Sequence, residues 1–125
     1  ICTAIISGSL DSITVSFDKK ATVCKYIVPP EYGLDPKVGV PLWVEADKIA
    51  ALGAQVFFAR VNREGNKLLT TTSRSAAILG VSESVSGAER MVEQALEHVQ
   101  GDFYVRHDIG KLNSAHPRGA APSDE

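Results

Sequence analysis

The chain has 125 residues, 44% of them apolar, with a formal net charge of -2 and only two cysteines. That length fits one domain with a core of its own, since domains run to roughly 100–200 residues. The absence of a basic excess gives no support for nucleic acid, no apolar run approaches the ~18 residues of a membrane helix, and Cys2 and Cys24 form neither a disulfide framework nor a CxxC site. A reduced, cytoplasmic compartment is expected, and no basic segment with a cleavage site marks secretion. The chain opens on Ile1 rather than Met, so we expect a processed chain or a piece of a longer one.

Residues 1–6 are almost wholly apolar and precede Gly8. Over so short a run, the last turn of a helix and a buried strand fit equally. Residues 12–17 alternate, with Ile13, Val15 and Phe17 on one side, which predicts a half-buried strand. Residues 21–28 are rich in β-branched and aromatic types and predict the next strand, with Cys24 as a small buried hydrophobe. Pro29-Pro30 ends it. Gly33, Pro36, Gly39 and Pro41 then mark a loop. Residues 42–44 read as a short strand, 47–52 as a brief helical turn closed by Gly53, and 54–61 as one strand buried on both faces. Residues 63–66 form a turn longer than two residues, from which 67–72 return as a hairpin. Residues 76–81 are a further strand.

The strongest local signal is a helix. Ser86 and Glu89 have the spacing of a capping box. Ala88, Met91, Val92, Ala95, Leu96 and Val99 make one apolar stripe, and Glu89, Arg90, Glu93, Gln94, Glu97 and His98 face water. Gly101 ends the helix, and 102–108 predict a last strand. Tyr26 and Trp43 are expected in the core. Beyond residue 113 the composition falls to Ser, Ala, Pro, Gly and charge, including His116, and predicts a disordered tail. About seven strands in runs with one amphipathic helix argue for an α+β fold with a mostly antiparallel sheet.

Chemistry-bearing motifs are sparse. Among the usual signatures there is no GxGxxG, P-loop, HExxH or metal-ligand spacing. Two segments stand out. In residues 70–75 (TTTSRS), five hydroxyls flank Arg74 where a strand gives way to a loop. Guanidinium and hydroxyl donors suit a phosphate or carboxylate, while threonines are also ordinary at a strand end. In residues 104–110 (YVRHDIG), Arg106 and Asp108 project to one side and His107 to the other. An Arg106–Asp108 structural pair is the plainer expectation there.

The order of these segments resembles the C-terminal part of the phosphoribosylamine–glycine ligase family, whose members are ATP-grasp enzymes of purine biosynthesis. The resemblance lies in KATVC at 20–24, Tyr32-Gly33, and VFFA at 56–59. It continues through LLTTTSR at 68–74, the capped helix, and FYVRHDIG at 103–110, similar to the family's closing F-Y-R-R-D-I-G. Gly8-Ser9-Leu10 is similar to the family's G-x-L after the last helix of the core. The family's glycine pair before the arginine is Thr72-Ser73 here, and its G-Y-P is Glu31-Tyr32-Gly33. Lost glycines put a close backbone approach in question, and the shape of the second turn with it.

The resemblance implies residues 1–11 as the tail of the ATP-grasp core, 12–112 as a C-terminal ligase domain, and 113–125 as the tail. It implies a whole enzyme that joins glycine to 5-phosphoribosylamine while splitting ATP, with Mg2+. In it, Arg74 with Thr72 and Ser73 would bind the substrate phosphate, and Arg106 and Asp108 would orient that loop or contact the ribose. The core of the same protein is the implied partner. The ATP- and metal-holding residues belong to that core, so no catalytic residue, no metal site and no tight ATP binding are expected in these 125 residues alone. Two other readings stand beside it: a regulatory domain binding a small anion, and a carrier domain presenting Lys67 at a hairpin.

Overall fold

The computed structural model describes residues 1–111. The expected disordered tail and His116 lie outside the described residues. Seven strands and three α-helices follow in the order α1 (Cys2–Ser7), β1 (Ala21–Ile27), β2 (Pro41–Val44), α2 (Ala46–Ala51), β3 (Gln55–Phe58), β4 (Val61–Glu64), β5 (Lys67–Thr70), β6 (Ala76–Ser82), α3 (Val85–Leu96) and β7 (Val99–Gly101). The α+β expectation holds, with every strand pairing antiparallel. The strands divide into two sheets, ordered β1-β6-β3 and β4-β5-β2-β7. Not all strand pairs are hairpins: β1 pairs with β6 and β2 with β7 across long stretches of chain.

Residues 1–6 resolve as helix α1, which ends at Gly8 in the left-handed conformation. The strand expected at 12–17 does not form. A 3-10 turn spans Leu10–Ser12, and Val15 and Phe17 are exposed. Alternation alone builds no strand without a partner edge to pair with.

The expected single strand at 54–61 is instead β3 and β4, joined by Ala59-Arg60. The chain bends there and passes from one sheet to the other. Opposite it, β5 and β6 do the same, so 55–64 and 67–82 form one long bent hairpin. Its closing loop is the two residues Gly65-Asn66, shorter than expected, since Glu64 and Lys67 already pair. Gly65 has φ +60°, and glycine takes a positive φ at the first loop position without penalty. Phe57 and Phe58 are about half exposed, which corrects the double burial expected for this strand.

Helix α3 covers the inner face of the first sheet. Its stripe is real: Ala88, Val92, Ala95 and Leu96 are buried, with Val99 following in β7. Its cap is Ser84, not Ser86. The Ser84 side chain accepts a hydrogen bond from the Gly87 backbone N–H at 3.0 Å, the N-cap geometry. The helix stops at Leu96, before Gly101. Gly80 on β6 permits close packing beneath it, because a Cβ there would sit 2.5 Å from the Ala88 carbonyl oxygen. Instead of a strand at 102–108 there is a single bridge, Val28 to Tyr104.

The alternation of β1 sends Val23, Lys25 and Ile27 inward and Thr22, Cys24 and Tyr26 outward. Cys24 is therefore exposed and Lys25 is fully buried, the reverse of the usual order for those residue types. Partial burial raises the Cys24 thiol above its ordinary pKa, so it is a poor nucleophile. Trp43 and Tyr26 are each about two-fifths exposed, against the core placement expected.

Lys25 is accommodated by full pairing. Its Nζ donates to Glu89 Oε1 at 2.9 Å, to Glu93 Oε1 at 2.5 Å and to the His107 carbonyl at 2.9 Å. Three donors thus meet three acceptors, which is what a buried ammonium requires. Glu89 and Glu93 were expected in water; they are partly buried beside this charge instead. Burial pushes the Glu93 carboxyl up, but hydrogen bonds from Lys25 and His107, with their charges, outweigh it and hold the group below its ordinary pKa.

Two predictions follow from this cluster. Lys25→Met should cost about 3 kcal/mol in urea unfolding, the low end for breaking a buried ion pair, because both carboxylates retain some access to water. A depressed carboxyl pKa contributes stability above the unfolded value of ~4.3 and loses it as pH falls through the folded value. The stability gap between the native chain and Glu93→Gln should therefore be full at pH 7 and close on acidification below pH ~4; a gap that widens in acid would contradict the assignment.

Candidate functional site

The bent hairpin aims Arg74. On one strand five residues, 71–75, oppose only two, 59–60, on the other. The surplus is a bulge, a device that redirects side chains at sheet rims. Its far end is pinned: the Arg74 carbonyl accepts from the Arg60 N–H at 3.1 Å, the Ser75 carbonyl from the Ala59 N–H at 2.9 Å, and the Ser75 N–H donates to the Ile27 carbonyl at 2.9 Å. The Arg74 guanidinium then lies over the Tyr26 ring, 4.6 Å from its centroid, a cation–π distance.

Arg74 lines a surface cavity of about 230 Å³ with Tyr26, Val28, Tyr32, Tyr104, Arg106 and Ile109. Arg74 and Arg106, separate candidates in the sequence, meet at one site. Arg106 is held by Asp108 through two bonds, Nε to Oδ1 at 3.2 Å and Nη2 to Oδ2 at 2.6 Å. The plainer expectation for that pair holds. The Arg106 bonds keep the Asp108 carboxyl below its ordinary pKa, and Asp108 raises that of Arg106. The pair is thus fixed in its charged form and nearly neutral in sum. No carboxylate lies within ion-pair distance of Arg74 among the described residues, whose uncompensated positive charge at the cavity is therefore Arg74.

Two of the hydroxyls flanking Arg74, those of Thr70 and Thr71, are engaged elsewhere. Thr70 is fully buried. Its Oγ1 donates to the Lys37 carbonyl at 2.7 Å and accepts from the Val40 N–H at 3.0 Å, clamping the 29–41 loop. Thr71 Oγ1 donates to the Arg60 carbonyl at 2.9 Å and accepts from the Ser73 N–H, which sets the bulge. Ser75 is buried with its hydroxyl unpartnered among the described residues. Thr72 and Ser73 stand on the bulge immediately before Arg74 and do not line the cavity.

Sequence reasoning missed the three tyrosines, because a mixed core-or-surface aromatic carries no positional signal until its strand register is known. One clue lay at Glu31-Tyr32-Gly33. Glu31 has φ +60°, the only non-glycine residue with a positive φ among those described. The turn has the left-handed shape that favours glycine, and it presents Tyr32 to the cavity. Such strain collects at ligand sites. His98 is likewise not simply solvated: its Nδ1 lies 3.3 Å from Glu45 Oε2. A hydrogen bond from Lys48, and secondarily His98, holds Glu45 below its ordinary pKa.

Magnesium does not fit the described residues. No group of three His, Cys, Asp or Glu side chains converges there, and the clustered carboxylates are engaged by Lys25, Arg106 and Lys48. No described helix is long and apolar enough to cross a membrane.

An α+β domain with a basic, aromatic surface cavity is the class this architecture defines. Comparison with known proteins makes it specific. Residues 22–112 match the family model of the phosphoribosylglycinamide synthetase C domain, and the chain belongs to that family. It is 44% identical over 113 residues to a phosphoribosylamine–glycine ligase of Methanococcus maripaludis, covering 90% of this chain and 26% of that protein. It is 47% identical over 111 residues to one of Methanocella arvoryzae, covering 89% and 25%. The chain therefore spans about a quarter of the length of the curated relatives it matches. The crystal structure of phosphoribosylamine–glycine ligase from Thermotoga maritima shares the fold, with a TM-score of 0.56 at 23% identity over 66% of this chain and 20% of that one.

The Glu31 conformation is directly testable. A left-handed non-glycine residue costs ~1–2 kcal/mol, so Glu31→Gly should raise the unfolding free energy by about 1 kcal/mol in urea titration. No gain would mean that the Glu31 side chain compensates its backbone.

Proposed function

We propose that this chain is the C-terminal part of a phosphoribosylamine–glycine ligase, which joins glycine to 5-phosphoribosylamine with ATP split to ADP and phosphate in purine biosynthesis. The observation that carries this reading is the family match over residues 22–112, in a chain that is a quarter the length of ligases it resembles. The division into 1–11 as core tail, 12–112 as domain and 113–125 as tail belongs to the same reading, as does a cytoplasmic setting. ATP and Mg2+ would be held by the core of the same protein. The chain by itself would be inactive and would not bind ATP tightly.

Within the whole enzyme the cavity would form one wall of the substrate cleft. Arg74, helped by Thr72 and Ser73 on the bulge, would take the 5-phosphate of phosphoribosylamine. Its planar fork and its lack of a carboxylate partner among the described residues suit a dianion. The Tyr26 ring beneath it fixes the guanidinium before the ligand arrives, which reduces the ordering cost of binding. Arg106, steadied by Asp108, would orient the 104–110 segment or meet the ribose. None of these groups takes or gives a proton in the reaction; they position the amine, and positioning alone can lower a barrier by several kcal/mol.

Arg74→Ala in the full-length ligase should raise the phosphoribosylamine KM roughly 10- to 100-fold, the ~1.5–3 kcal/mol of hydrogen bonds to a charged group, with the ATP KM nearly unchanged. Steady-state kinetics with each substrate varied in turn decides it. Equal shifts in both constants, or none, would remove Arg74 from the phosphate site.

A further inference from the structure

We propose that the tyrosine cavity stacks an aromatic base, so that a purine 5′-ribonucleotide monophosphate competes with phosphoribosylamine for Arg74 and restrains the enzyme. The inference rests on the phosphate role of Arg74 given above and extends it to regulation of that site.

A sugar phosphate needs the arginines but not the rings. Yet three tyrosines surround this cavity with Val28 and Ile109, leaving the two guanidiniums as its charged groups. Tyr26 is already covered by Arg74. Tyr32 and Tyr104 are 44% and 58% exposed, with ring surface available to a ligand. Both are mounted on fixed backbone. Tyr104 exchanges two hydrogen bonds with Val28, at 3.0 and 2.9 Å, and the Tyr32 N–H donates to the Pro29 carbonyl at 3.2 Å in the strained turn at Glu31. Rigid aromatic walls at low ordering cost are what a base-stacking platform requires.

Size and charge narrow the ligand. A volume of about 230 Å³ is below the ~300–1,000 Å³ of sites that enclose a drug-sized molecule. It admits one ring system and leaves the rest of the ligand at the rim, where the guanidinium lies. One uncompensated arginine suits one phosphate group rather than a chain of three. A 5′-ribonucleotide and phosphoribosylamine share the 5-phosphoribosyl unit and differ only at C1, an aromatic base against an amine. The shared part meets Arg74; the base meets Tyr32 and Tyr104, surface that the substrate leaves unused. A purine offers the larger stacking face.

The test uses the full-length ligase with guanosine 5′-monophosphate, whose base is not that of ATP, beside ribose 5-phosphate. Guanosine 5′-monophosphate should inhibit competitively against phosphoribosylamine and not against ATP, with a Ki about tenfold or more below that of ribose 5-phosphate, as stacking of one base provides. Tyr104→Ala should bring the ratio of the two Ki values close to one, and Tyr104→Phe should preserve it. Tyr32→Ala serves as the second variant. Equal Ki values in the native enzyme, competition against ATP, or a ratio indifferent to both alanine variants overturns the stacking site while leaving the Arg74 reading intact. Ribose 5-phosphate inhibition that is unmoved by Arg74→Ala overturns the phosphate reading, and the stacking proposal with it.

Discussion

A single buried ammonium joins the parts of this domain that matter. Lys25 sits at the centre of β1 with no exposure to solvent, and its three hydrogen bonds reach two turns of α3 and the carbonyl of His107. A charge in that position is tolerable only if every partner is present at once. The helix, the strand and the 104–110 segment are therefore committed to one mutual arrangement. His107 adds a second tie, with Nδ1 3.0 Å from Glu93 Oε2. Gly110 lies so close that a Cβ would meet Val23 at 3.0 Å and Glu89 at 3.3 Å.

The consequence falls on the opposite face of the same strand. Residues on either side of His107 carry the Arg106–Asp108 pair, and the neighbour of Lys25 is Tyr26, the ring beneath Arg74. The buried network on the inner face thus fixes the positions of groups on the outer one. This gives the cavity the rigidity that electrostatic positioning requires. The other wall comes from the bent hairpin, where the bulge at 71–75 carries Arg74 past the end of β6, and from the 29–41 loop clamped by Thr70. Of the hydroxyls beside the arginine, those of Thr70 and Thr71 hold the loop and the bulge in place.

The result is a surface cavity held on stiff supports. It offers several rings and one arginine without a carboxylate partner among the described residues, which gather no metal site. Its lining is mostly apolar and aromatic, with Tyr26, Tyr32 and Tyr104 beside Val28 and Ile109 and two guanidiniums.

What the sequence determined by itself were the features with local or short-period causes. The stripe of α3, the strands expected at 21–28 and 76–81 and found as β1 and β6, the α+β class and the Arg106–Asp108 pair all arise from neighbours along the chain. The order of motifs also identified the family, because segments such as FYVRHDIG at 103–110 are legible as text at set spacings. Tertiary structure decided the rest. Whether Cys24 or Lys25 is buried depends on which face of β1 meets α3, and a one-residue change of register would reverse it. Glu89 and Glu93 look solvated until a lysine 64 and 68 residues away arrives between them. The alternation at 12–17 yields no strand because no edge pairs with it, and the run at 54–61 divides because its partner strand bends with it. The cavity has the same origin: its lining residues lie between positions 26 and 109 and meet only when β1, the bulge and the 104–110 segment are brought together.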